Sequence, residues 1–132
     1  MSQENVEVVR RASEAQRQRD NETIVDLYDP GIEIADDPSV PWPKRYRHQD
    51  GVRDFCRDRL AAFSLDDVQV EEWIDAGDEI VAVLHFQARG GQSEVPPDFR
   101  QTHVWTVKDG KLTRLRIYHS KVAALEAVGL RR

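Results

Sequence analysis

Residues Phe99 to Ser120 read FRQTHVWTVKDGKLTRLRIYHS. Two runs rich in β-branched and aromatic residues, Phe99 to Val107 and Leu112 to His119, flank Asp109–Gly110. Asp-Gly between such runs is a strong signal for a type I′ hairpin, because both turn residues must then adopt positive φ. Working upstream, Ile80 to Phe86 is a further strand, broken at Gly90–Gly91. Before it, Val68, Val70, Trp73 and Ile74 lead into a turn at Ala76–Gly77. The second half of the chain therefore reads as an antiparallel meander. Downstream, Ser120 caps a short helix carrying Val122, Ala124 and Leu125, and Gly129 ends it.

The first half has a different period. Val6, Val9, Ala12 and Ala15 share one face of a helix over residues 4–19. Asp20 or Asn21 caps a shorter helix with Ile24, Leu27 and Tyr28, which Pro30–Gly31 stops. Gly31 to Ala35 is a short strand running into Asp36–Asp37–Pro38. Three prolines, Pro38, Pro41 and Pro43, surround Trp42 and make residues 38–49 a loop. A third helix over about 50–63 carries the stripe Val52, Phe55, Cys56, Leu60 and Phe63. Helices segregated from consecutive strands mean an α+β domain, with a cavity between the helices and the sheet.

The chain has 132 residues, enough for a single domain over 1–132. Apolar residues make up 39% and charged residues 33%, polar for a globule but spread along the chain as a folded protein requires. The net charge of −5 excludes the basic footprint of non-specific nucleic-acid binding. Its cations are mostly arginine, 15 against 4 lysines; those at Arg53 and Arg57 have acidic neighbours and read as solvated helix faces. No apolar run reaches membrane-spanning length and the N-terminus lacks an apolar signal core, so a cytoplasmic protein is expected. One cysteine, Cys56, rules out an internal disulfide and reads as a buried thiol. No phosphate-binding, dinucleotide, zinc-protease or nucleophile-elbow motif is present, and the four histidines are scattered. No metal or cofactor is expected.

Several segments, in this order and spacing, resemble the SnoaL-like family of the nuclear-transport-factor-2-like superfamily. They are Glu4–Asn5–Val6, Leu27–Tyr28–Asp29–Pro30 with Ile32–Glu33, Tyr46–Arg47, Gly51 to Phe55, and Asp75 to Asp78. His103 to Thr106 with Asp109–Gly110–Lys111, and Ala123 to Leu130, complete the set. The resemblance implies a cone-shaped curved antiparallel sheet packed on three N-terminal helices, with a short C-terminal helix. It also implies kinship with ketosteroid isomerases and polyketide cyclases, a small apolar ligand, and a homodimer. In the isomerase-like pattern a carboxylate before proline is the general base, which here falls on Asp36 or Asp37. The two oxyanion donors of that pattern fall on Ala12 and Thr102, and a supporting tyrosine on Cys56, so ordinary steroid isomerisation is not expected. An epoxide-hydrolase pattern keeps Arg100 but meets Thr102 and Ile117 where it needs aspartates.

That register turns Arg100, Thr102 and Val104 inward, with Leu115, Ile117 and His119 on the last strand and Ala82, Leu84 and Phe86 on the preceding one. The expected pocket is lined by Trp42, Phe55, Cys56, Leu84, Phe86, Arg100, Thr102, Leu115 and Ile117. Val83, His85, His103, Trp105 and Tyr118 then face outward, and a homodimer would cover them. Asp36 or Asp37 is either a base or turn punctuation; His119 is either its acid partner or a histidine satisfied at the strand end. Arg100 either holds a ligand carboxylate or sits in solvent, and Trp42 either covers the ligand or packs on its own loop. The implied function is cofactor-free proton transfer on a small apolar molecule: isomerisation, cyclisation or dehydration. The alternatives are a non-catalytic ligand-binding module and a dimeric interaction domain.

Overall fold

A computed structural model describes residues 2–18, 20–41, 43–62, 68–87 and 98–130. Trp42, Phe63 and Gly90–Gly91 lie outside the described residues, as does the side chain of Leu60. The element order is α1 (Ser2–Arg17), α2 (Asn21–Leu27), β1 (Tyr28–Ala35), β2 (Arg45–Arg47), α3 (His48–Ala62), β3 (Val68–Asp75), β4 (Glu79–Gln87), β5 (Asp98–Lys108), β6 (Lys111–Tyr118) and α4 (Lys121–Ala127). The strands form one curved six-stranded sheet in the order β2-β1-β6-β5-β4-β3.

The local signals act as their chemistry requires. Asp20 caps α2 by accepting the Thr23 backbone N–H at 3.2 Å. The hairpin turn places Asp109 at φ 53° and Gly110 at φ 75°, the left-handed pair of a type I′ turn. Gly129, at φ 80°, closes α4 while the Leu130 N–H reaches back to the Leu125 carbonyl at 2.8 Å.

Two features depart from the reading of the sequence. The sheet is mixed: β3 to β6 are antiparallel neighbours, but β1 lies parallel to β6 through Ile34 and Leu115. A parallel pair needs a long connection, and residues 36–110, more than half of the chain, separate these two strands. The first strand also begins at Tyr28 and runs through Pro30 and Gly31, with an irregular register between Tyr28 and Glu33. Proline is tolerated there because the pairing with β6 is interrupted at that point.

The main core lies between α1, α2 and α3 and one side of the sheet. Val9 and Ala12 of α1, Ile24 and Leu27 of α2, and Val52 and Phe55 of α3 meet Ile32, Ile34, Ile80, Trp105, Leu112 and Leu115. A second apolar cluster, Leu84 and Phe86 with Val68, Val70 and Phe99, occupies the other end of the strands. On the opposite side of the sheet, α4 lays Ala124 on Val81 and Val104, with Ile74 and Tyr118 at the margin. The apolar outer side that the sequence assigns to a second copy is thus partly covered by the chain's own last helix. Among the described residues, no helix is long and apolar enough to cross a membrane.

Candidate functional site

Strand β5 carries the decisive side chains. Cross-strand partners share a sheet face, and His103 pairs with Ala82 and Ile117, Trp105 with Ile80 and Leu115, Gln101 with Leu84. The helix-facing series along β5 is therefore Phe99, Gln101, His103 and Trp105. Thr102 pairs with Val83 and Tyr118, and Arg100 with His85, which puts Arg100, Thr102 and Val104 on the other side. The expected register of β5 is corrected by one residue. Trp105 is the reason: it is 3% exposed and meets the ring of Tyr28 edge-on at 5.9 Å. Burying an indole in the main core outweighs placing Thr102 there.

This register brings two polar side chains to the helix-facing side. Gln101 is 8% exposed and His103 4%, and His103 Nε2 lies 3.1 Å from Gln101 Oε1. They sit between Trp105, in the main core, and Phe99, in the second cluster. Their cross-strand neighbours are the apolar Leu84, Ala82 and Ile117. A buried polar pair in apolar surroundings must be satisfied, and here each supplies a partner for the other. An amide oxygen can only accept, so Nε2–H is the donor of this bond.

The apolar part of the site is the second cluster. Phe86 stacks on Phe99 with centroids 4.8 Å apart, beside Leu84. A groove of about 410 Å³ runs between α1 and the edge strand β3, with Arg10, Ser13 and Glu14 on one wall and Val68, Val70 and Trp73 on the other. Val68 and Val70 belong to the second cluster, so the groove opens on its flank. That volume is within the range of small-molecule sites. From the helices, Phe55 is buried and meets Tyr46 edge-on at 5.4 Å, and Cys56 accepts from Gln16 Nε2 at 3.7 Å.

The expected acid–base set lies elsewhere. Asp37 is 7% exposed, and its oxygens accept two backbone N–H groups, Ser39 at Oδ1 and His119 at Oδ2, both at 2.9 Å. Burial pushes this carboxyl up, but the His119 and Ser39 donors outweigh burial and hold it below the ordinary carboxylate range. Asp36 is half-buried and accepts the Lys44 N–H at 3.1 Å. The contact from His119 to Asp37 is made by its backbone, and the residue itself is exposed. Arg100 forms a two-point pair with Glu71, at 2.8 and 3.1 Å, on the exposed side. Leu84, Phe86, Leu115 and Ile117 do face the helices as expected, whereas Thr102 is buried on the far side.

The outward set is divided in the same way. Val83, His85 and Tyr118 lie on the side away from α1–α3, but His103 and Trp105 point into the fold. Gln101 escaped the sequence reading entirely. Counting alternation from Trp105, the largest residue of its strand, instead of from Thr102 would have found both Gln101 and His103. Among the described residues, no group of three histidine, cysteine, aspartate or glutamate side chains is placed to hold a metal ion.

The helix-backed curved sheet defines a class of fold, and comparison with known proteins agrees. The SnoaL-like domain model matches residues 9–115, and the chain belongs to that family. No curated protein matches the chain. Among solved structures it is similar to a candidate SnoaL-like polyketide cyclase from Jannaschia sp. CCS1, with 20% identity, 100% of this chain and 96% of that one covered, and a TM-score of 0.72. TerC co-crystallised with polyporic acid shares 21% identity over 96% of this chain and 98% of its own, with a TM-score of 0.70. An NTF2-like protein from Burkholderia xenovorans LB400 shares 17% identity over 97% and 98%, with a TM-score of 0.68. At these identities the likeness is one of fold.

Proposed function

We propose that this protein takes up a small, largely apolar organic molecule bearing an oxygen, places it against Leu84 and Phe86, and transfers a proton on it with His103. The observation that carries this reading is the buried His103–Gln101 pair on the helix-facing side of β5. A neutral imidazole in apolar surroundings is a base whose strength suits C–H acids next to a carbonyl, the first step of isomerisation or aldol-type cyclisation. Gln101, bonded to one ring nitrogen, sets which nitrogen holds the proton, as an orienting partner does for a catalytic histidine. The co-crystal of TerC with polyporic acid supports an organic ligand in this fold.

Binding without turnover is favoured by a separate observation. The carboxylate expected to be the base, Asp37, already takes two backbone donors and is held in its ionised form. A site that lacks that base could still bind and orient.

Fluorescence titration with 2-naphthol, neutral and apolar with one hydroxyl, tests the site. Binding should weaken at least about tenfold in His103→Leu and in Phe86→Trp, a loss of about 1.4 kcal/mol, while both variants stay folded by circular dichroism. Equal affinity in wild type and both variants would move the ligand away from this side of the sheet. Loss of turnover in His103→Gln with retained binding, once a substrate is identified, separates the enzyme from the binding module.

A further inference from the structure

On the side of the sheet away from α1–α3, strands β2, β1 and β6 carry two rows of side chains. One row is Arg47, Glu33 and Arg114; the next is Arg45, Ala35 and Arg116. In the first row Glu33 supplies a carboxylate, and Arg47 Nε lies 3.3 Å from it. In the second row the corresponding position is a methyl group, flanked by two guanidinium-bearing residues. Arg116 gives one end to Glu79, yet its buried Nε has no hydrogen-bond partner. Arg45 and Arg114 have no acidic partner among the described residues. Arg45, Arg114 and Arg116 line one cavity of about 210 Å³, and Ala35 lies in its wall. A smaller cavity of about 40 Å³ adjoins it and shares Ala35, Arg45 and Arg114. Asp36 also lines the larger cavity, with one oxygen engaged by the Lys44 N–H. In a chain of net charge −5, this corner holds an excess of positive charge with a gap where the neighbouring row has its anion.

We propose that this cleft binds an oxyanion, a carboxylate or phosphate group of a small molecule, seated over Ala35 and held by Arg45, Arg114 and the Nε of Arg116. The guanidinium fork matches the geometry of either anion, and partial burial strengthens such charge-assisted bonds. The site lies across the sheet from His103 and does not depend on the function proposed there.

Calorimetric titration of the full chain in chloride-free buffer with inorganic phosphate, and separately with succinate, tests it and tells the two chemistries apart. Saturable binding of at least one anion at about 1 mM or tighter is expected. Ala35→Glu puts a carboxylate where Glu33 stands in the next row; it should weaken binding at least about tenfold and melt no lower than wild type. Arg114→Gln changes an exposed side chain, so it tests the same site without threatening the fold, and should weaken binding at least about fivefold. Absence of saturable heat from both anions up to about 10 mM overturns the proposal, as does unchanged affinity in Arg114→Gln.

Discussion

Asp37→Asn should destabilise the fold, and should do so in a way that depends on pH. The Asp37 carboxylate joins the end of β1 to the end of β6 by accepting the Ser39 and His119 backbone N–H groups. Asparagine keeps one acceptor oxygen, loses the charge, and turns an NH₂ toward the other donor. One charge-assisted bond is lost and the second weakened, which together cost about 2–3 kcal/mol. In a chain of this size that lowers the melting temperature by about 8–12 °C. The carboxyl is held below its ordinary range in the folded state. Its contribution is therefore complete above the unfolded value near ~3.9 and disappears as pH falls through the folded value. Thermal melts of wild type and Asp37→Asn should differ most above about pH 5, and the gap should close in strong acid. Asp36→Asn, which removes the charge from a half-buried group with one backbone donor, should cost less than about 1 kcal/mol. A gap that is constant with pH, or a larger loss in Asp36→Asn, refutes the reasoning. Unchanged melting with abolished turnover would instead restore Asp37 as the base.

Trp105→Ala should cost about 3–5 kcal/mol in chemical denaturation, because it opens the main core beside Tyr28; a change of particle size at unchanged stability would place Trp105 on an association face. Arg100→Ala breaks an exposed pair with Glu71 and should shift stability by no more than about 1 kcal/mol; a loss several times larger would mean that the pair ties β3 to β5 across β4. Gly110→Ala keeps open space around the new methyl but forces φ 75° on an L side chain, so about 1–2 kcal/mol should be lost, and an unchanged denaturation midpoint would argue against the type I′ turn.

The parts of the fold governed by local chemistry were legible in the sequence. The Asp109–Gly110 turn, the Asp20 and Ser120 caps and the Gly129 stop each act through the residue itself or its near neighbours. The parallel docking of β1 on β6 was not legible, because no local pattern records which distant strand supplies the partner. The site failed at one step, the face of β5. Both of its alternating sets, Gln101, His103, Trp105 and Thr102, Val104, Thr106, mix apolar with polar residues, so period alone does not choose between them. A family register centred on Thr102 chose one; the volume of Trp105 and its packing on Tyr28 chose the other. That single step turned His103 from a surface residue into the centre of the proposed site. On the flanking strands, where Leu84, Phe86, Leu115 and Ile117 alternate with clearer partners, the facing read from sequence agrees with the structure.

The central claim is that ligand chemistry takes place at His103, inside the fold. Nitrogen-15 NMR of the four imidazole rings, recorded during titration with 2-naphthol and related oxygenated polycyclic compounds, tests it most directly. The account predicts that the His103 ring nitrogens shift on binding while those of His48, His85 and His119 stay in place, and that the shift is lost in Phe86→Trp. Movement of the His119 ring with His103 unchanged would contradict it and return the site to the end of the last strand.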